Sequence, residues 1–200
     1  MEHLLTTAFI NNVSYTLHME QKDYKLEIID SLIGKSWHVR GLAKQLGVNH
    51  MLLFRKFREL YNENVFDYKK EWKNKVYFLK KTIEARAYLF MTENYKLIQL
   101  LRKYPNLRKI IEEIQSNLKI KLAVLFGSYA KDLAKKDSDV DIYIETTDKK
   151  IKEEIERLSS KVNIKVGKYD KGNLLIKEIE KNHVIIKGVE IFYEKFKFFD

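Results

Sequence analysis

Asp139 and Asp141 flank Val140 in the run Ser138-Asp-Val-Asp141, at the head of the apolar segment Val140-Asp-Ile-Tyr-Ile144. Side chains alternate along an extended strand, so both carboxylates are expected on one face. Two carboxylates that close repel unless a cation lies between them, and hard divalent cations favour oxygen ligands. A pair of magnesium ions is the natural occupant. Just upstream, Lys121-Leu-Ala-Val-Leu-Phe126 reads as a buried strand and Gly127-Ser128 as a turn into a helix. Gly127 would let backbone N–H groups and the Ser128 hydroxyl approach a triphosphate, whose oxygens complete the coordination of the metal. The implied chemistry is nucleotidyl transfer. Alone, Gly-Ser is an ordinary turn and Asp-x-Asp an ordinary solvated edge; the argument rests on their conjunction between two apolar strands.

The stretch GSYAKDLAKKDSDVDI, Gly127 to Ile142, resembles the signature of the minimal nucleotidyltransferases of the polymerase-β-like superfamily. Their pattern is Gly-Ser, a spacer, then Ser-Asp-x-Asp-hydrophobic, and the resemblance covers residues 118 to 200. It implies that Ser128 contacts the distal phosphates of an NTP, ATP by first choice, and that Asp139 and Asp141 hold two Mg2+ ions. A third carboxylate on a later strand would help to activate the attacking hydroxyl. The chain departs from the pattern twice. Asp132 stands where family members commonly carry glycine, and Asn163, in the strand Lys161-Val-Asn-Ile-Lys-Val166, stands where the third carboxylate is expected. An amide has no useful basicity near neutral pH, so metal and nucleotide binding could survive while transfer slows. Glu145 and Asp170 are weak stand-ins. The family admits acceptors from a protein tyrosine, as in antitoxin-like members that modify a paired toxin, to small molecules such as aminoglycosides.

Around this site lie 200 residues, 45% hydrophobic, enough for one large or two small cores, and the organisation favours two. No run of about 18 uncharged apolar residues and no leader-like start is present, which points to a cytoplasmic protein without a membrane partner. Without cysteine there are no disulfides, thiol catalysis or thiolate metal sites, and His3, His18, His38, His50 and His183 lack zinc spacing. The formal net charge of +10 suggests a polyanionic partner. Residues 1–80 hold 13 basic and 9 acidic side chains, and the excess elsewhere is similar, so charge alone marks no nucleic-acid site.

A motif does. Tyr24 to Ile33, His38 to Leu46 and His50 to Tyr61 each carry apolar residues at helical spacing, with Gly47 turning the chain and Asn49 suited to cap the third helix. The array resembles a helix-turn-helix whose last helix enters the DNA major groove. Val65 to Tyr68 and Lys75 to Leu79 could then pair as a wing, with Lys69 to Asn74 as its tip. The DNA-facing residues would be Asn49, His50, Arg55 and Arg58 on the helix and Lys73 and Lys75 on the wing. Exposed Met51 and Phe54 suit a protein contact as well.

The expected architecture is therefore α+β. It comprises a winged helix-turn-helix domain with an N-terminal hairpin (1–80), a helical connector broken at Pro105 (81–117), and a polymerase-β-like nucleotidyltransferase domain with a mixed sheet flanked by helices (118–200). The apolar stripe of the connector would pack on one domain or form a homodimer. Two functions compete: an NMP transferase recruited to DNA or autoregulated through its winged helix, and a DNA-binding regulator whose degenerate catalytic domain senses nucleotide.

Overall fold

The computed structural model describes residues 22–199. The expected hairpin over residues 5–18 lies outside them. Helix α1 (Tyr24–Leu32) starts where the Asp23 carboxylate accepts hydrogen bonds from the Lys25 and Leu26 amides. It packs with α2 (Val39–Leu46) and α3 (His50–Asn62) through Ile28, Ile29, Leu32, Leu42, Ala43, Leu53, Phe57 and Leu60, all buried. Between α2 and α3 the chain reverses at Gly47, at φ +67°. There the Val48 amide donates to Ala43 (3.0 Å) and the Gly47 amide to Lys44 (3.3 Å), closing the helix end in a Schellman motif. The positive φ is the reason for glycine.

The wing is longer and its tip tighter than the sequence suggested. Strands β1 (Phe66–Glu71) and β2 (Asn74–Leu79) pair antiparallel out to Glu71 opposite Asn74, so that Lys69 and Lys70 are strand residues and only Trp72 and Lys73 turn. Trp37 adds a further rung, exchanging backbone hydrogen bonds with Tyr77 at 2.9 and 3.0 Å. Phe57 fastens the wing to α3, its ring 4.8 Å from Tyr77 and 5.4 Å from Phe66. These elements form a winged helix-turn-helix.

Helix α4 (Ile83–Lys103) ends before Pro105, which opens a 3-10 turn leading into α5 (Arg108–Ser116). A mixed four-stranded sheet follows: β3 (Ala123–Phe126), the one-turn α6 (Gly127–Ala130), β4 (Val140–Glu145), α7 (Lys149–Glu156), β5 (Val162–Gly167), α8 (Leu174–Lys181), β6 (Val184–Lys187) and α9 (Val189–Phe196). Its order is β5-β4-β3-β6, with β4 and β5 parallel and the other pairs antiparallel. The sequence reading had not assigned α9.

Two cores form, and they do not divide at the connector. On one face of the sheet, Leu125, Val140, Ile142, Ile144 and Ile164 pack with Ile110, Ile111 and Ile114 of α5 and Ile151 and Ile155 of α7. On the other, Leu122, Val124, Tyr143 and Ile185 join Ile176, Phe192 and Tyr193 in a cluster continuous with the winged-helix core. Helix α4 is the bridge, and its apolar stripe (Ala85, Leu89, Leu97, Leu100) is buried within the chain against both halves.

Glu93 on α4, fully buried, accepts a hydrogen bond from Tyr193 of α9 at 2.7 Å and pairs with Lys96 at 3.1 Å. His183 Nε2 lies 3.6 Å from it, and Lys96 also reaches Asp30 of α1 at 3.6 Å. Burial pushes the Glu93 carboxyl up, but Lys96, His183 and the Tyr193 hydroxyl outweigh burial and hold it at about 2. A depressed carboxyl contributes stability above its unfolded value near 4.5 and loses it as pH falls toward 2. Glu93→Gln is expected to flatten the acid limb of the stability curve between those values. Glu93→Ala, which leaves Lys96 only its 3.6 Å contact with Asp30, should cost about 3 kcal/mol. Urea denaturation of each variant from pH 7 to pH 2 checks both, and an acid limb unchanged in Glu93→Gln would show that Glu93 is not its source.

Candidate functional site

Three strands bring the site together by register. Asp141 on β4 lies opposite Phe126, the last residue of β3, and beside Asn163 on β5. The chain turns immediately after Phe126. Gly127 has φ +73°, and a Cβ there would sit 2.6 Å from Asp141 Oδ2 and 3.4 Å from its Cβ and Cγ. Only glycine allows this turn to rest against the carboxylate. From the other side, Asn163 Nδ2 donates a 2.8 Å hydrogen bond to Asp141 Oδ1. Asp141 is half-buried between a backbone turn and an amide donor.

The rest of the loop is shaped by its own hydrogen bonds. Ser128, half-buried, gives its carbonyl to the Leu133 amide at 2.9 Å. Ser138 Oγ accepts from the Lys135 amide at 2.8 Å, bracing the stretch that delivers Asp139. Asp139 is exposed and falls one residue short of β4, at its mouth rather than on the strand. Alternation along β4 therefore applies to Asp141 and Tyr143 and not strictly to the Asp139–Asp141 pair.

Asp132 has φ +60°. A left-handed residue is most easily glycine, which explains the glycine expected at this position. Here the aspartate carries the strain and ion-pairs with Lys103 at the end of α4, with the Tyr104 hydroxyl 3.4 Å away. Its charge is thus turned to α4. Sequence reasoning flagged the residue without its backbone conformation.

Glu145 and Asp170 are each engaged by other partners. Glu145 lies four residues beyond Asp141, about 13 Å along the strand, where it pairs with Lys195 at 3.0 Å and accepts from the Tyr169 amide at 3.2 Å. Asp170 accepts from the Gly172 amide at 2.8 Å. Among the described residues no group of three or more His, Cys, Asp or Glu could hold a metal ion. Asp139 and Asp141 offer two carboxylates, a donor set suited to a divalent cation that also takes phosphate oxygens. The third position offers an N–H to Asp141.

On the winged helix, His50, Arg55 and Arg58 are exposed along α3, as are Lys73 and Lys75 on the wing. The Asn49 side-chain oxygen is engaged, capping α3 through the Met51 amide at 2.8 Å. Lys75 Nζ stands 3.8 Å over the Tyr68 ring. A cleft of about 420 Å³ separates the start of α3 from the wing, lined by His38, Arg40, His50, Met51, Phe54 and Lys75 among others.

Gly127→Ala tests the turn. The left-handed backbone should cost about 1–2 kcal/mol, and the new methyl must displace the Asp141 carboxylate. Expected together are a lower melting temperature and a tenfold or greater loss of metal-dependent NTP affinity by calorimetry. Retention of that affinity would detach the Gly127–Asp141 contact from nucleotide binding.

A nucleotidyltransferase domain model matches residues 107–197. No curated protein matches the chain. Among solved structures, the adhesin competence repressor AdcR from Streptococcus pyogenes is 14% identical over 54% of this chain and 81% of its own, with a TM-score of 0.38. The transcriptional repressor BigR from Xylella fastidiosa is 20% identical over 44% and 84%, at 0.32. A toxin-antitoxin structure with AMP-PNP is 22% identical over 53% and 79%, also at 0.32. Scores this low add nothing to the winged helix-turn-helix, which stands on its helices and wing as described. Residues 107–197 are thus similar to nucleotidyltransferase domains, and in this chain they are joined to a winged helix-turn-helix.

Proposed function

We propose that the chain binds an NTP, ATP by first choice, at Gly127, Ser128, Asp139 and Asp141 and transfers its NMP to a hydroxyl acceptor, while the winged helix recruits it to DNA or allows autoregulation. The contact of the Gly127 turn with Asp141 carries this reading. It brings the backbone at Gly127 against a carboxylate, an arrangement that suits a metal-bound triphosphate. A divalent cation, when bound, would neutralise phosphate charge. Asp139 and Asp141 would hold it. Two Mg2+ ions would have to share those carboxylates, because Asn163 supplies neither charge nor a strong oxygen ligand.

In the transfer, an acceptor oxygen bonds to the α-phosphorus, the bond from that phosphorus to the α–β bridging oxygen breaks, and pyrophosphate leaves. The proton of the acceptor passes to solvent, since Asn163 cannot take it. A protein hydroxyl, as in antitoxin-like members of the superfamily, and a small-molecule hydroxyl are both acceptors of the right chemistry. No helix among the described residues is long and apolar enough to cross a membrane; the use of NTP and DNA suits a cytoplasmic protein.

The Asn163–Asp141 hydrogen bond favours a second reading, a DNA-binding regulator that senses nucleotide without transferring it. Incubation with α-phosphate-labelled NTPs, Mg2+ and cell extract separates the two. Label on an acceptor, lost in Asp139→Ala and Asp141→Ala, supports transfer; nucleotide-dependent DNA binding without label supports the regulator. Asn163→Asp is expected to raise turnover about tenfold or more, with nucleotide affinity within a few-fold. Unchanged turnover would mean that the step needs no base at this position.

For the DNA half, exposed Arg55 and Arg58 and the lysines of the wing support phosphate contact. Arg55→Ala and Lys73→Ala should each weaken duplex binding and reduce the log-log salt slope by about one unit. Fluorescence anisotropy from low to moderate salt reads this, and a slope equal to that of the wild type would remove the residue from the interface.

A further inference from the structure

The tip of the wing carries a feature that phosphate contact leaves unexplained. Trp72 occupies the first position of a two-residue hairpin turn, and its residue surface is 99% exposed. Its φ is +58°, a conformation that such turns normally give to Gly, Asn or Asp. A bulky aromatic there is unfavourable to the hairpin, in backbone conformation and in apolar surface left in water. Nothing in the fold requires it, since the ring contacts none of the core.

The surroundings of the indole are basic. Lys70 and Lys75 face each other directly across the strands just behind the turn, a like-charge pair that weakens a hairpin. Lys73 adjoins Trp72 in the turn, and the nearest acid, Glu71, pairs with Lys69 at 3.2 Å. The tip therefore combines an exposed aromatic wedge with cations gathered against their mutual repulsion, on a hairpin that shares a cleft with the exposed face of α3. Each of these costs is recovered on a polyanion with stacked bases.

We propose that Trp72 is a nucleic-acid-contacting residue that inserts its indole into the minor groove of duplex DNA beside the site read by α3, with Lys70, Lys73 and Lys75 on the flanking phosphates. Apolar side chains act as wedges of this kind at base steps in the minor groove, which open most readily at flexible pyrimidine–purine steps. The inference rests on the reading of the winged helix as a DNA-binding element. It adds a shape-sensitive contact that charge neutralisation does not provide.

The experiment uses the full chain and a mixed-sequence 30-base-pair duplex at low salt, with a dT30 single strand and anionic lipid vesicles as alternative probes. Trp72→Ala should weaken duplex binding at least fivefold while leaving the salt slope unaltered, since no charge is lost; Trp72→Phe should retain most of the affinity. Duplex should also quench the indole emission of the wild type, and the quenching should vanish in Trp72→Phe, where only Trp37 emits. Trp37 is half-buried and donates to the Ser31 carbonyl at 3.0 Å. Wild-type affinity and no quenching change in the Trp72 variants, with Arg55→Ala still weakened, would overturn the wedge and leave the DNA reading intact. No duplex binding by the wild type would overturn both. Tighter binding to dT30 or to vesicles than to duplex would also overturn the duplex assignment.

Discussion

The position of Asp141 depends on strand register. Because Phe126, Asp141 and Asn163 stand side by side on β3, β4 and β5, the turn at Gly127 must abut a carboxylate and the amide must point at it. A slip of one residue in either pairing would turn Asp141 into the apolar face formed by Val140, Ile142 and Ile144. Burial on that face thus holds the polar site on the other. The missing Cβ at Gly127 is the second half of the constraint, since the strand could keep its register around an alanine but the carboxylate could not keep its place.

The same sheet ties the site to the winged helix. Its far side from α5 and α7 continues into the core of α1, α2 and α3 through α4, α8 and α9, so the two halves are not beads on a linker. Where α1, α4, β6 and α9 meet, buried Glu93 is held by Tyr193, His183 and Lys96, and Lys96 reaches out to exposed Asp30. The Glu93 part of this set tolerates little rearrangement, because parting Glu93 from Lys96 leaves a buried carboxylate without its cation.

Much of this was legible from residue pattern. Apolar periodicity placed α1, α2 and α3 within about a residue of their ends, and Gly127-Ser128 with Ser-Asp-Val-Asp marked the strand–turn–strand core of the site. What escaped had physical causes of particular kinds. The wing tip was drawn too wide because Lys69 and Lys70 have weak local preferences for strand, which cross-strand pairing outweighed, and Trp72 is not a turn former. The Trp37 rung was hidden because one residue carries no periodicity. Asp139 was expected at the head of the strand on the face of Asp141; it lies just before β4, where strand alternation no longer fixes its direction. The continuous core across the connector depends on long-range contacts that no local pattern encodes.

Asn163 changes the electrostatics of the site as well as its stock of bases. A carboxylate in its place would face Asp141 at hydrogen-bonding distance, and two like charges so close would force one to protonate or to recruit a cation. The amide reverses that demand by donating to Asp141 Oδ1, so that the aspartate is partnered before any ligand arrives. A site arranged in this way is ordered without a metal and has less to gain from one. On the proposed reading, a cation here would draw its affinity chiefly from the phosphate oxygens of the nucleotide, and cation and nucleotide binding would depend on each other. In the proposed transfer the same neutrality would leave the acceptor hydroxyl to ionise unaided, so the amide at 163 would weigh on the chemical step.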